Sequence, residues 1–251
     1  MLTIITTSSI PVVKSGEPIE PLISSALSDD GIMLKDNDIL VVAQKIVSLC
    51  ENRQIQLNSV NVSSEANQLA SETGKDPRIV ELILRESDAI VRQKMGVIIA
   101  RHKLGLVCAN AGIDQSNIDH SNGETALLLP ENPDASAAQL KEKIKRRTNK
   151  NIGVIISDSM NRPWRLGSVG ISIGAAGLGL LDNKIGAKDL YGRTLLNTVI
   201  NRSDALAGAA VLLMGEAAEA TPFAIIRGCE LGEDNQGARS LVRPLDEDMF
   251  P

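Results

Sequence analysis

Four aromatic residues serve a chain of 251: one Trp, one Tyr and two Phe. A chain of this length can bury a real core without disulfides or metal staples. That core has to be built from Ile, Leu, Val, Ala and Met, because there are too few rings to fill it. The scarcity also excludes a class of function. Platforms that stack the bases of single-stranded nucleic acid need several aromatic side chains on one face. The net charge of −5 points the same way, since polyanion binding leaves a basic footprint. No nucleic-acid partner is expected.

Metal and redox classes narrow next. With only His102 and His120, no multi-histidine metal centre can form. Cys50, Cys108 and Cys229 are far apart and odd in number. They form no CxxC pair, so neither a zinc site nor a disulfide framework is indicated, and reduced thiols are expected. The start, Met1-Leu2-Thr3-Ile4, lacks the basic residues of a signal peptide. No apolar run approaches the ~18 residues of a membrane span. A soluble cytoplasmic protein is expected, in which a bound anion is met by local positive charge or by metal.

Local signals alternate along the chain. Ile39–Ala43 follows a turn-like Lys35-Asp36-Asn37-Asp38 and reads as a buried strand. Residues 64–70 are helical in composition and stop at Gly74. Asp76-Pro77 opens another helix, Asp as N-cap and Pro in the first position. Val80, Ile83 and Leu84 give it an apolar face. Gly96–Ala100 and Gly105–Ala109 read as a strand hairpin, followed by a small, polar loop over 110–117. Residues 121–136 read as a connector. A charged helix is expected from Ala137 to about Arg147; its Lys141, Lys143, Lys145, Arg146 and Arg147 suit a solvated face better than a nucleic-acid site. Gly153–Ser157 is a buried strand, 205–213 a helix and Ala224–Arg227 a strand. This mixed order favours an α+β fold over a clean βαβ array. A single unit over 1–251 is expected, with a subdomain boundary within 120–136 and a polar, mobile tail over 229–251.

Candidate chemistry lies in the loops. There is no GxxxxGK[ST], and Gly174-Ala175-Ala176-Gly177-Leu178-Gly179 does not fit GxGxxG. Those glycines serve either close packing and turns or a phosphate cradle. Asp114 and Asp158 each follow an aliphatic strand, where carboxylates suit Mg²⁺ or Mn²⁺, and where Asp also serves as a cap or Asx turn. Glu216 is a third carboxylate, otherwise an exposed helical Glu. Arg162 and Arg165 flank Pro163-Trp164 and could clamp phosphate or carboxylate, or pair with acidic neighbours. Arg193 admits the same two readings.

Ordered blocks along nearly the whole chain carry a resemblance. They are Ile10–Lys14, Asp38–Ser48, Asn110-Ala111-Gly112-Ile113-Asp114-Gln115-Ser116-Asn117 and Leu128–Asp134. Ile155–Arg165, Asp189-Leu190-Tyr191-Gly192-Arg193 and Leu213-Met214-Gly215-Glu216 follow. Together they resemble the coenzyme F420-0:γ-glutamyl ligase family. The resemblance implies an α+β fold of mixed and antiparallel sheets with packed helices, in two intimately packed subdomains, and an intertwined homodimer. It implies GTP-dependent addition of L-glutamate to coenzyme F420-0, then of a second, γ-linked glutamate. It also implies two Mg²⁺ or Mn²⁺ ions, with K⁺ as a further ion. Matching positions place metal at Asp114, Asp158, Ser159 (Thr is usual) and Glu216. Guanine-nucleotide contacts fall at Ile10, Pro11, Val12, Val13, Gln44, Lys45 and Asn117, and at Met214, Gly215, Glu216, Ala217, Ala218, Glu219, Ala220 and Thr221. Arg162, Trp164 and Arg165 are assigned to substrate. Two positions depart from the pattern: Leu49 replaces a Lys that contacts nucleotide, and Asn161 replaces a Gly. Other readings are a same-fold ligase or phosphohydrolase with another substrate, or a non-catalytic nucleotide-binding homologue.

Overall fold

The computed structural model describes residues 1–8, 10–161, 163–232 and 236–249. Its centre is the aliphatic run Ile39–Ala43 (β2), whose first four side chains are fully buried. A strand buried on both faces sits inside a sheet, and β2 does. The five-stranded order is β1 (Thr3–Thr6), β12 (Phe223–Arg227), β2, β8 (Gly153–Asn161), β9 (Ser168–Ala176). Only β2 and β8 run parallel. One face packs Leu40, Val42, Val154 and Ile156 against Ile23 of α1 (Ile19–Asp29) and Leu140 and Ile144 of α5 (Pro133–Thr148). The other packs Ile39, Val41 and Ile155 against Leu206, Ala207 and Ala210 of α6 (Arg202–Met214). As the sparse rings require, Phe223 is the one aromatic among the largest fully buried side chains of the described residues.

A second core holds Leu57, Leu69, Val80, Ile83, Ile98 and Leu128. Around it stand α3 (Ser64–Thr73), α4 (Pro77–Glu86) and the antiparallel sheet of β4 (Ser87–Lys94), β5 (Val97–His102) and β6 (Val107–Ala109). The short pair β3 (Gln54–Gln56) and β7 (Thr125–Leu127) lies at its border, after α2 (Gln44–Cys50). Another two-stranded ribbon, β10 (Leu181–Asn183) and β11 (Val199–Asn201), carries an extended arm. The architecture is thus α+β with mixed and antiparallel sheets, as expected.

Local signals act where they were read. The Ser63 side chain caps α3 at Ala66, and Gly74, at φ 66°, ends it in the left-handed conformation that glycine adopts freely. Asp76 caps α4, with Pro77 in its first turn. The two helices are tied by Glu81, which accepts from the Ser63 N–H at 2.9 Å and pairs with Arg85 at 2.8 Å. Hydrogen bonding by Ser63, reinforced by Arg85, holds the Glu81 carboxyl down at about 2. A carboxyl depressed on folding adds stability above its ordinary value near 4.5, and that stability is lost as pH falls toward 2. Glu81→Gln should therefore cost about 1–3 kcal/mol at neutral pH and flatten the acid limb of stability. Urea unfolding at pH 7, 4.5 and 3 checks this; an unchanged acid limb would contradict it.

Four expectations change. The α5 helix begins at Pro133 rather than Ala137, because the Asn132 side chain caps it. The connector over 121–136 contains β7, whose three residues are buried. β8 runs on to Asn161, so Asp158 and Ser159 lie within a strand, not beyond it; β9 continues the ladder there, opposite Ile171 and Gly170. The glycine-rich stretch contains strand β9, packed between two helices. A Cβ on Gly174 would lie 2.5 Å from the Pro133 carbonyl, and one on Gly170 2.7 Å from the Ala207 carbonyl oxygen. At those two positions close packing is the role.

Candidate metal and nucleotide site

The sheet gathers the expected residues at one end. β2 passes directly into α2, so Gln44 and Lys45 stand at its C-terminal end. Parallel register sets Ala43 beside Ser157, so Asp158 and Ser159 emerge next to them. β12 enters from the same end, with the Ala43 N–H donating to the Pro222 carbonyl at 2.9 Å. That places residues 214–221 there. β1 leaves at this end as well, and the Ile10 N–H donates to the Ala220 carbonyl at 2.8 Å. Asp114 and Asn117 come from the second core: Lys45 Nζ lies 2.8 Å from Asp114 Oδ2, and Asn117 Nδ2 donates to the Ala217 carbonyl at 2.9 Å.

Asp114 is aimed by a turn that local propensity hides. Asn110, Ala111 and Gly112 have φ of 53°, 52° and 68°, three left-handed residues in succession. For Ala this is strained, and strain of this kind collects at functional sites. Asn110 Oδ1 is buried without a hydrogen-bond partner. Asp114 then exchanges both backbone hydrogen bonds with Leu127, at 2.8 and 3.1 Å. A Cβ on Gly112 would meet Leu129 at 2.8 Å, and its φ is positive. Gly112→Ala should lower stability by about 2 kcal/mol and weaken Mn²⁺ binding by misplacing Asp114. Denaturant unfolding and Mn²⁺ titration read the two effects; wild-type values in both would contradict this.

Charge is concentrated but incompletely offset. Burial pushes the Asp158 carboxyl up to about 7, and the facing charges of Asp114 and Glu216 add to the rise, against the Ser159 N–H and Lys45. Burial would raise Asp114 too, but hydrogen bonds from Lys45 and Ser116 outweigh it and hold that carboxyl below its ordinary value. The Ser159 hydroxyl donates to Glu216 Oε1. Among the described residues, no group of three or more His, Cys, Asp or Glu is close enough to hold a metal unaided. The donors are all hard oxygens, and Mg²⁺ usually takes only one or two carboxylates and fills its sphere with water and substrate phosphate. Burial raises the neighbouring Cys108 thiol to about 12, with Asp158 contributing, so it supplies no thiolate at neutral pH.

Other expected residues are spread more widely. Gln44 is buried and accepts from the Ser48 hydroxyl at 2.9 Å. Val13 is buried, whereas Pro11 and Val12 are exposed. Leu49 packs with Val13 and Leu127 in a small aliphatic cluster, so in this chain position 49 belongs to packing. The 214–221 segment is pinned by Thr221 Oγ1 donating to the Met214 carbonyl at 2.7 Å and the Ala217 N–H to Glu219 at 2.8 Å. Gly215 turns the chain at φ 77°, leaving Glu216 and Ala218 exposed. Trp164 and Arg165 lie in the exposed turn between β8 and β9, while Arg162 lies outside the described residues.

The end of this mixed sheet collects three partly exposed carboxylates, one lysine and a backbone-rich loop, an arrangement suited to holding anionic substrates by charge and position. Residues 8–228 match the family model described as F420-0:Gamma-glutamyl ligase. The chain belongs to that family of ligases. It is 42% identical over 251 residues to the coenzyme F420:L-glutamate ligase of Methanothermobacter thermautotrophicus, covering 99% of this chain and 98% of that one. It is also 42% identical over 241 residues to the Methanocaldococcus jannaschii protein of the same name, covering 96% and 94%. The Archaeoglobus fulgidus protein, again of that name, is 36% identical over 242 residues, covering 96% and 93%.

Proposed function

We propose that this chain joins L-glutamate to coenzyme F420-0 in a reaction driven by GTP and supported by Mg²⁺ or Mn²⁺. The observation that carries the reading is the unrelieved charge at the sheet end. Asp158 is half-buried facing Asp114 and Glu216, and its carboxyl rises to about 7. A divalent cation relieves that repulsion. Asp114, Asp158, Glu216 and the Ser159 hydroxyl would hold two such ions, which neutralise phosphate charge and orient it. K⁺ is a further ion.

The chain's own residues supply position. Lys45 offers the ammonium for nucleotide phosphate, Asn117 clamps the 214–221 loop, and the backbone of Ile10–Val13 and of that loop grips the guanine. The acceptor carboxylate attacks the γ-phosphorus, giving an acyl phosphate and GDP. The glutamate amine then attacks the acyl carbon and loses a proton; phosphate departs and an amide remains. A second cycle adds a γ-linked glutamate. Catalysis of this kind is mostly positioning and charge neutralisation. Trp164, Arg165 and Arg162 are assigned to the acceptor.

The arm supports a homodimer. Its loop residues Leu190 and Tyr191 are 99% and 95% exposed, although Asp189 Oδ1 orders the turn by accepting from the Tyr191 and Arg193 N–H groups. Apolar side chains held on a rigid, projecting turn suit burial against a second copy. Among the described residues no helix is long and apolar enough to cross a membrane.

The test is direct. Purified protein, GTP, Mn²⁺, L-glutamate and coenzyme F420-0 should yield a product heavier by one glutamyl unit, with one GDP per unit added. GDP release without any glutamate requirement would reject the ligase reading in favour of hydrolysis.

A further inference from the structure

The Lys45 side chain is already spent. Its ammonium lies 2.8 Å from Asp114 Oδ2, 2.7 Å from Ser116 Oγ and 3.1 Å from the Ser116 carbonyl. An ammonium has three protons, so these three oxygens satisfy it. Asp114 Oδ2 is equally occupied, by Lys45 and, at 3.0 Å, by the Ser116 hydroxyl, while Oδ1 accepts from the Ser116 N–H at 2.8 Å. The pair is accessible, with the two side chains 26% and 40% exposed, and can open without disturbing the core.

A divalent ion reaching Asp114 Oδ2 would meet the ammonium at the same oxygen. Two cations cannot share it closely. We propose that Lys45 is a resident counterion that a divalent cation must displace from Asp114, and that nucleotide phosphate receives the displaced ammonium. This rests on the metal assignment of Asp114 made above. Metal and nucleotide then favour each other's binding, because each rewards the same movement, and the coupling is reciprocal. Without nucleotide the lysine keeps the site closed to weakly held ions.

The readout is Mn²⁺ affinity without nucleotide, followed by the electron paramagnetic resonance of free Mn²⁺. Lys45→Met and Lys45→Gln should each bind Mn²⁺ about 10-fold more tightly than the unsubstituted protein. Lys45→Arg, which keeps a cation there, should stay within about 3-fold. The gain should persist in 0.5 M NaCl, since displacement at contact is screened far less than a general field effect. Circular dichroism and thermal unfolding establish that each variant is folded. If neither neutral variant binds more tightly than the unsubstituted protein, or if the gain vanishes in high salt, the displacement is overturned. Asp114→Asn in the same titration separates the two readings. Loss of Mn²⁺ binding there keeps the metal assignment whatever Lys45 does, and undiminished binding removes the assignment itself.

Discussion

Asp114→Asn should leave a folded protein that no longer adds glutamate. Asn keeps the shape and still accepts the Ser116 N–H, a 2.8 Å bond in the native protein. The Leu127 bridge is made by backbone and is untouched. What goes is one negative charge of the group formed with Asp158 and Glu216. Lys45 loses its counterion, but a half-exposed pair of this kind is worth at most about 1 kcal/mol, so the thermal midpoint should shift little. Catalysis should suffer far more. Asp114 would act through the divalent cation it holds, and losing one such preorganised electrostatic contact is worth on the order of 10²–10³-fold in turnover. GDP release and glutamyl transfer should both fall by at least that factor, with Mn²⁺ affinity falling alongside. Asp158 should answer too: with the Asp114 charge removed, its carboxyl loses one of the causes that raise it and moves back toward the ordinary range. Full activity in this variant would remove Asp114 from the site.

Cues confined to a few residues survive folding because nothing distant is needed to enact them. The Ser63 and Asp76 caps, the Gly74 stop and the unbroken aliphatic runs of β2 and β12 are of this kind. β4 carries no such cue. Its residues Ser87–Lys94 are mostly polar and partly or fully exposed, and pairing with β5 is what makes them a strand. Asp158 and Ser159 are strand residues for the same reason, since the extension of β8 comes from β9. The site divides likewise. Blocks of sequence name Asp114, Asp158, Ser159, Glu216 and Lys45. No block says that they meet. Their meeting depends on the parallel register of Ala43 with Ser157, on β12 entering beside β2, and on the left-handed turn at 110–112. Asn-Ala-Gly was a readable hint of that turn, since Asn and Gly tolerate positive φ, but Ala between them argues the other way. Leu49 shows the opposite case. Against the family pattern it stands in place of a cation; in the fold it is a core contact for Val13 and Leu127.

Gly174→Ala should be the most damaging single methyl added to this chain's glycine-rich stretch. Its backbone is not in the left-handed region, so freedom of φ is not the issue; space is. The new Cβ would stand 2.5 Å from the carbonyl carbon and oxygen of Pro133 and 2.7 Å from its Cβ. Backbone cannot turn aside as a flexible side chain can. Nor can α5 retreat, because the next residue fixes it. Asp134 accepts the Ala175 N–H at 2.8 Å from the strand, and those of Ala238 and Arg239 at 2.6 and 3.1 Å from the C-terminal segment. Moving Pro133 away from β9 would stretch all three. Overpacking of this sort costs about 3 kcal/mol, which in a domain of this size lowers the thermal midpoint by roughly 6–12 °C. Gly167 supplies the contrast. Its φ is 87°, but nothing lies within 4 Å of its missing Cβ. Gly167→Ala should therefore cost only the left-handed strain, about 1–2 kcal/mol. Thermal unfolding of the two variants side by side separates close packing from backbone freedom. Equal losses, or a larger one at Gly167, would show that the stretch is glycine-rich for its turns and not for the approach of α5 to β9.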